Sequence, residues 1–146
     1  MRVAGFQPKD DLLPDTVVVG AAMMLGVDFP PLYRELIRTH NGAYGDAEFP
    51  VAGSSQAGGF GLWLSLLPWD SESVWTSLAC WSEHDLPRQI IPFGEDGGGN
   101  LVCFDYRSSS EPSIVLWYHE LQGQDGIHPL AERFPDFLTL LRETVD

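Results

Sequence analysis

Residues 89–118 restrict the fold more than any other part of the chain. Gln89–Phe93, Leu101–Tyr106 and Ile114–Tyr118 are short apolar runs rich in β-branched and aromatic residues. The glycine-rich turn Gly94–Gly99 separates the first two, and the polar turn Arg107–Pro112 separates the second and third. Runs of this length between turn residues read as strands. Links this short join antiparallel neighbours, because a parallel pair needs a crossover of a dozen residues or more. An alternating strand–helix order is therefore absent from this half.

The flanking segments have helical spacing. Val17, Val18, Ala21, Met24 and Leu25 predict a helix over Asp15–Leu25, with Asp15 as its cap and Gly26 as its stop. In DFPPLYRELIRTHNG the two prolines suit a first helical turn, whose N–H groups lack partners anyway. Leu32, Leu36, Ile37 and His40 share one side, and Asn41-Gly42 suits a left-handed helix end, so the spacing predicts a helix over Pro31–His40. Residues 43–61 are rich in Gly, Ser and Ala and read as a long loop. Leu62–Leu67 reads as a buried strand, Ser71–Ser82 as a helix, and Leu130–Thr144 as a closing helix begun at Pro135. Residues 1–14 read as a loose lead-in. Helices, consecutive strands and a final helix predict an α+β fold: an N-terminal helix pair, a mostly antiparallel sheet and a C-terminal helix.

The chain has 146 residues, 44% of them hydrophobic and five of them tryptophan, which suits one domain with its own core. No apolar run approaches the ~18 residues of a membrane helix. The opening MRVAGFQPKDD lacks the parts of a signal peptide, so the expected compartment is the cytoplasm. Cys80 and Cys103 each lie among apolar neighbours and are expected to be buried free thiols. The charge is more informative. Eight basic residues against 21 acidic ones give −13, a field that repels nucleic acid and anionic membrane and attracts basic partners.

The chain carries no recognisable catalytic pattern. GEDGGGN leads into a strand rather than a helix, and its two carboxylates would repel a phosphate. A calcium loop needs acids where Gly97, Gly98 and Gly99 stand. The glycines therefore read as a strand-to-strand turn that needs positive φ. His40, His84, His119 and His128 form no ligand spacing, no serine has nucleophile flanks, and no carboxylate pair is singled out for acid–base work. Neither an enzyme nor a cofactor or metal is expected.

Four features in order resemble the SUKH superfamily, in particular its Smi/Knr-type cell-wall-assembly-regulator branch. The first surrounds the second helix, at Phe29-Pro30, Tyr33 and Asn41-Gly42. The second is the Leu62–Leu67 strand. The third is IIPFGEDGGGNLVCFDYR, with Pro92, Phe93, Gly94, Asp96, Gly97, Gly98, Gly99 and Asp105. The fourth runs from Leu116-Trp117-Tyr118-His119-Glu120 to Leu130-Ala131 and Phe134 with Phe137-Leu138. Asn100 departs from the aspartate common at its position, and Phe29 and Pro31 flank Pro30 where leucine and a polar or acidic residue are usual. The resemblance covers residues 15 to 142 and implies an α+β fold with a curved sheet flanked by helices. It implies that the motif residues Pro30, Tyr33, Asn41, Gly42, Gly94, Asp96, Gly97, Gly98, Gly99, Asp105, Trp117 and Phe134 are structural.

The same resemblance implies a protein-binding role. Bacterial members are regarded as immunity proteins that neutralise polymorphic toxins, and fungal members as regulatory scaffolds. The expected partner is a basic toxin domain, such as a nuclease, whose substrate groove an acidic protein can occupy. The alternative is a regulatory scaffold without a toxin partner. Acids on loops and helix ends are the candidate contacts: Asp46 and Glu48 in the long loop, Asp70 and Glu72 before the third helix, Glu83 and Asp85 after it. Trp69 or Trp75 is a candidate aromatic anchor, with core packing as the other reading of both tryptophans.

Overall fold

The computed structural model describes residues 2–84, 86–121 and 126–144. The first two helices fall where the periodicity predicts them, α1 at Asp15–Leu25 and α2 at Pro31–His40. Gly26 closes α1 in the left-handed conformation, whereas Pro14, not Asp15, occupies its N-cap. Two strands follow, β1 (Tyr44–Phe49) and β2 (Gly58–Trp63), then α3 (Val74–Trp81). Next come β3 (Ile90–Glu95), β4 (Leu101–Asp105), β5 (Ser113–Trp117) and β6 (Ile127–Ala131). The chain closes with α4 (Phe134–Leu140) and the two-residue β7 (Arg142–Glu143).

All seven strands join one curved sheet in the order β6-β5-β4-β3-β2-β1-β7, with every neighbouring pair antiparallel. The fold is α+β. Its central strands β3, β4 and β5 are buried on both faces, which explains why Leu101–Phe104 and Ile114–Trp117 read as unbroken apolar runs rather than alternating ones. Val102, Phe104, Ile114 and Leu116 face a large core shared with Val18 of α1, Leu36 and Ile37 of α2, and Phe134 and Phe137 of α4. Leu101, Cys103, Val115 and Trp117 alternate with them into a smaller cluster covered by Leu78 and Trp81 of α3.

Five expectations need correction. The glycine-rich stretch 43–61 is a hairpin, not a long loop, and the second strand lies earlier than Leu62–Leu67. Its glycines are consumed by close packing: a Cβ at Gly45 would strike the Phe6 ring, and one at Gly58 the Phe49 ring. Residues 130–144 are not one helix, because Leu130 and Ala131 finish β6 while Arg142 and Glu143 pair with Glu48 and Ala47 of β1. The segment before α1 is not loose: Val3, Phe6 and Leu13 are buried, and the Gly5 carbonyl accepts the Asp46 N–H. Of the two thiols Cys103 is buried, but Cys80 is exposed on α3.

Local chemistry accounts for the elements that do match. Ser73 caps α3 in a reciprocal box with Thr76, each side chain accepting the other's backbone N–H. After α2, Gly42 takes φ 71°, but Asn41 is extended at φ −58° and ψ 116° rather than left-handed. Its side chain explains the difference. Oδ1 accepts the Leu66 N–H at 2.7 Å and Nδ2 donates to Ser65 Oγ at 3.0 Å, while Ser65 donates to Asp70 at 2.6 Å. Asn41 thus ties the end of α2 to the segment after β2.

The turn between β3 and β4 is knitted by Asp96. Its Oδ1 accepts the Gly98 and Asn100 N–H groups, and its Oδ2 accepts the Asn100 side-chain amide. Asn100 in turn accepts the His119 N–H at 3.3 Å. Of the three glycines only Gly99 has positive φ, at 92°, and a Cβ there would also press on the His119 ring.

Two stability outcomes follow. Gly99→Ala should cost about 1 kcal/mol or more by urea unfolding, while Gly97→Ala, which meets open space, should lie within about 0.5 kcal/mol of wild type. Equal losses at both positions would contradict the turn geometry. Asn41→Ala should cost about 1–3 kcal/mol, since it removes the acceptor of the Leu66 N–H. A midpoint unchanged from wild type would show that water replaces the amide there.

Candidate protein-binding face

The segment 65–73 forms a closed loop. A bridge between Ser65 and Ser73 shuts it, with the Ser65 N–H donating to the Glu72 carbonyl and the Val74 N–H to the Ser65 carbonyl. Asn41 fastens it from beneath through Ser65 and Leu66. Trp69 projects from this loop at 78% exposure, so it is available to a partner. Trp75 is not equivalent: it is half-buried against the core, and its indole N–H donates to the Leu66 carbonyl at 2.8 Å.

The acids divide by what they touch. Asp70 accepts from Ser65 and belongs to the loop's internal bonding. Glu72 is exposed and accepts the hydroxyl of Tyr44, which stands 69% exposed at the start of β1. Glu95, at the end of β3, is half-buried. Burial raises its carboxyl above the usual range, and the charges of Glu72 and Asp96 raise it further. Among the described residues none of Glu72, Glu95 and Asp96 has a lysine or arginine within ion-pair distance. Glu72 and Glu95 therefore lie near one another beside the exposed Tyr44 ring, with Asp96 next along the chain and no compensating cation among the described residues.

Asp46 and Glu48 lie on β1, not on a loop, and with Asp96 they border one shallow recess beside Gly58 and Gly59. Asp46 is exposed, whereas Glu48 is paired with Arg142 at 2.8 Å. Glu83 is exposed beyond the far end of α3, about 12 Å of helix away from Glu72. Asp85 lies outside the described residues. The structure thus groups Asp46, Glu48 and Asp96 at one recess and Glu72 with Tyr44 and Glu95, and leaves Glu83 apart. Two members of this face were missed from sequence. Tyr44 lies in the stretch that reads as a loop, and Glu95 in the stretch that reads as a turn, although its position beside Asp96 is a visible signal.

The remaining motif residues are buried or bonded within the fold. Tyr33 is fully enclosed, and burial pushes its phenol up. A Cβ at Gly94 would drive into the Phe60 ring. Asp105 is held below its usual range despite partial burial, because Arg107 hydrogen-bonds both its oxygens. Trp117 and Phe134 are core residues, one in each cluster. Pro30 caps α2. Among the described residues no three His, Cys, Asp or Glu side chains converge as metal ligands, and no helix is long and apolar enough to cross a membrane.

No curated protein matches the chain. A solved structure described as a protein from Pseudomonas syringae pv. tomato is similar at 18% identity and a TM-score of 0.49, over 77% of this chain and 72% of that one. The SMI1 / KNR4 family (SUKH-1) matches residues 17–140, a span that runs from within α1 through α4 and takes in the smaller hydrophobic cluster, most of the larger one, the Asn41 tie and the glycine turn. The chain belongs to the SMI1/KNR4 (SUKH-1) family.

Proposed function

We propose that this chain is a cytoplasmic protein-binding module, an immunity protein that covers a basic surface of a toxin domain with the face around Trp69, Tyr44, Glu72 and Glu95. The observation that carries this reading is the uncompensated charge at Glu95. A carboxylate raised by burial and by two like charges is held in a state that an incoming cation relieves. Exposed tryptophan and tyrosine beside it supply apolar contact area of the kind that interface anchors use. The net charge of −13 adds long-range steering toward a basic groove. Family membership supports a non-catalytic binding role of this kind.

The test takes as ligand any toxin-like domain found encoded in the genes neighbouring this chain's. With that domain as ligand, the double variant Trp69→Ala, Glu72→Lys should weaken binding by about tenfold or more and flatten the salt dependence of association. Both side chains are exposed, so folding is preserved. Unchanged affinity would remove this face. Absence of any toxin-like domain from the neighbouring genes would favour the regulatory-scaffold role instead.

The acidic cluster also sets a pH dependence. Glu95 binds its proton more tightly in the folded chain than in the unfolded one, so its ionisation reduces stability as pH rises through and above the ordinary carboxylate range. Glu95→Gln should therefore raise the urea midpoint at pH 7 and lose that advantage near pH 4. A partner cation at Glu95 favours the ionised form, so binding should release a proton, seen as buffer-dependent heat in calorimetry near pH 5. Equal heats in buffers of different ionisation enthalpy would place the cation elsewhere.

A further inference from the structure

On a molecule of net charge −13, three of the eight basic residues gather in one place. An open groove of about 1000 Å³ lies between the C-terminal half of α1, the segment after it, the start of β3 and the turn that follows β4. Arg34, Arg88 and Arg107 line it against a single acid, Asp28. Arg107 is held by Asp105. Arg34 is only loosely paired, 3.8 Å from Asp15 with both side chains about half exposed, and Arg88 has no ion pair among the described residues.

The side of the groove formed by α1 and the segment after it is mostly apolar, with Val19, Ala22, Met23, Leu25 and Val27. The α1 sequence DTVVVGAAMML is hydrophobic on all sides, yet only Val18 and Ala21 are fully buried. Val19 and Met23 face the groove, and Met23 and Met24 are exposed at 77% and 79%. A helix apolar all round normally has neighbours on all sides. Unbranched, polarisable methionine side chains adapt to varied partner shapes, which is why they recur on peptide-binding surfaces.

We propose that this groove is a second docking surface, one that takes an acidic, apolar peptide segment of a partner protein. Charge complementarity identifies the occupant. Cations at the rim and methionine on the wall fit carboxylates alternating with apolar side chains, the opposite of what the Trp69 face would accept. The groove is open along its length, which suits a chain segment rather than an enclosed small molecule. A phosphodiester backbone or an anionic bilayer would meet the −13 field over a wide area, whereas a short peptide meets mainly the groove, with its three arginines and Asp28. This inference stands apart from the toxin-binding reading, because it uses a different surface of opposite sign.

The experiment pans a random-peptide display library on the full chain. An acidic molecule otherwise enriches basic peptides, so recovery of acidic, apolar sequences is diagnostic. A synthetic peptide of the recovered class should shift the methyl signal of Met23, which lines the groove and is one of only three methionines in the chain. The exposed double variant Arg34→Glu, Arg88→Glu should lose about tenfold or more in affinity for it, while Glu72→Lys should bind it unchanged. Recovery of basic peptides alone would overturn the proposal. So would equal binding by the arginine variant, or binding to phosphatidylserine vesicles with no acidic peptide recovered.

Discussion

Tyr33 is the contact on which the rest of the packing depends. Its ring meets Phe104 at 4.9 Å and Phe29 at 5.0 Å, with Phe134, Phe93 and Trp63 within 6.2 Å. One side chain thereby links α2, the segment before it, strands β2, β3 and β4, and α4. Most of these pairs are edge-to-face, the arrangement that the aromatic quadrupole favours, each worth about 0.5–1.5 kcal/mol beyond the area buried. The phenol oxygen has no hydrogen-bond partner among the described groups, and burial keeps it neutral. The enclosed hydroxyl is a cost that the surrounding ring contacts must exceed.

Once α2 is fixed by Tyr33, Asn41 at its end is fixed too. The amide then holds Ser65 and Leu66, and Ser65 holds Asp70. The loop that carries Trp69 and Glu72 is therefore positioned from the core outward through side-chain bonds. Such bonds constrain the loop's backbone while leaving Trp69 exposed. That arrangement lowers the entropy an anchor must lose on binding, which is the physical content of preorganisation.

The helices and central strands were legible because their signals are local. Pro31 and Gly42 punctuate α2, Ser73 caps α3, and the runs 101–104 and 114–117 are apolar on both faces. Residues 43–61 were misread because glycine reports conformational freedom in the sequence but close approach in the fold. Only the three-dimensional meeting of Gly45 with Phe6 and Gly58 with Phe49 shows that these glycines serve a hairpin. The end of the chain was misread for a related reason: Arg142 pairs with Glu48 across 94 residues, a register no local pattern records. The acids were legible as a class, but their grouping was not. Glu72 and Glu95 approach one another only because β1, β2 and β3 lie side by side, which brings Tyr44, Leu62 and Glu95 into one row of the sheet.

The motif residues and the exposed faces answer different physical demands. Tyr33, Gly94, Trp117 and Phe134 are consumed by packing, and Asn41 and Asp96 by backbone hydrogen bonds, so substitution there alters the fold before it alters recognition. Trp69, Tyr44, Glu72, Met23 and Arg88 make few demands on the core, and exchanging them changes the surface with little loss of stability. A scaffold built this way can keep one set of internal contacts while presenting surfaces of different sign and polarity. In this chain the internal set produces both: the Asn41 tie holds up the acidic, aromatic loop, and the same α2 carries Arg34 toward the basic groove. The two faces are thus set by opposite ends and sides of one helix whose position Tyr33 determines.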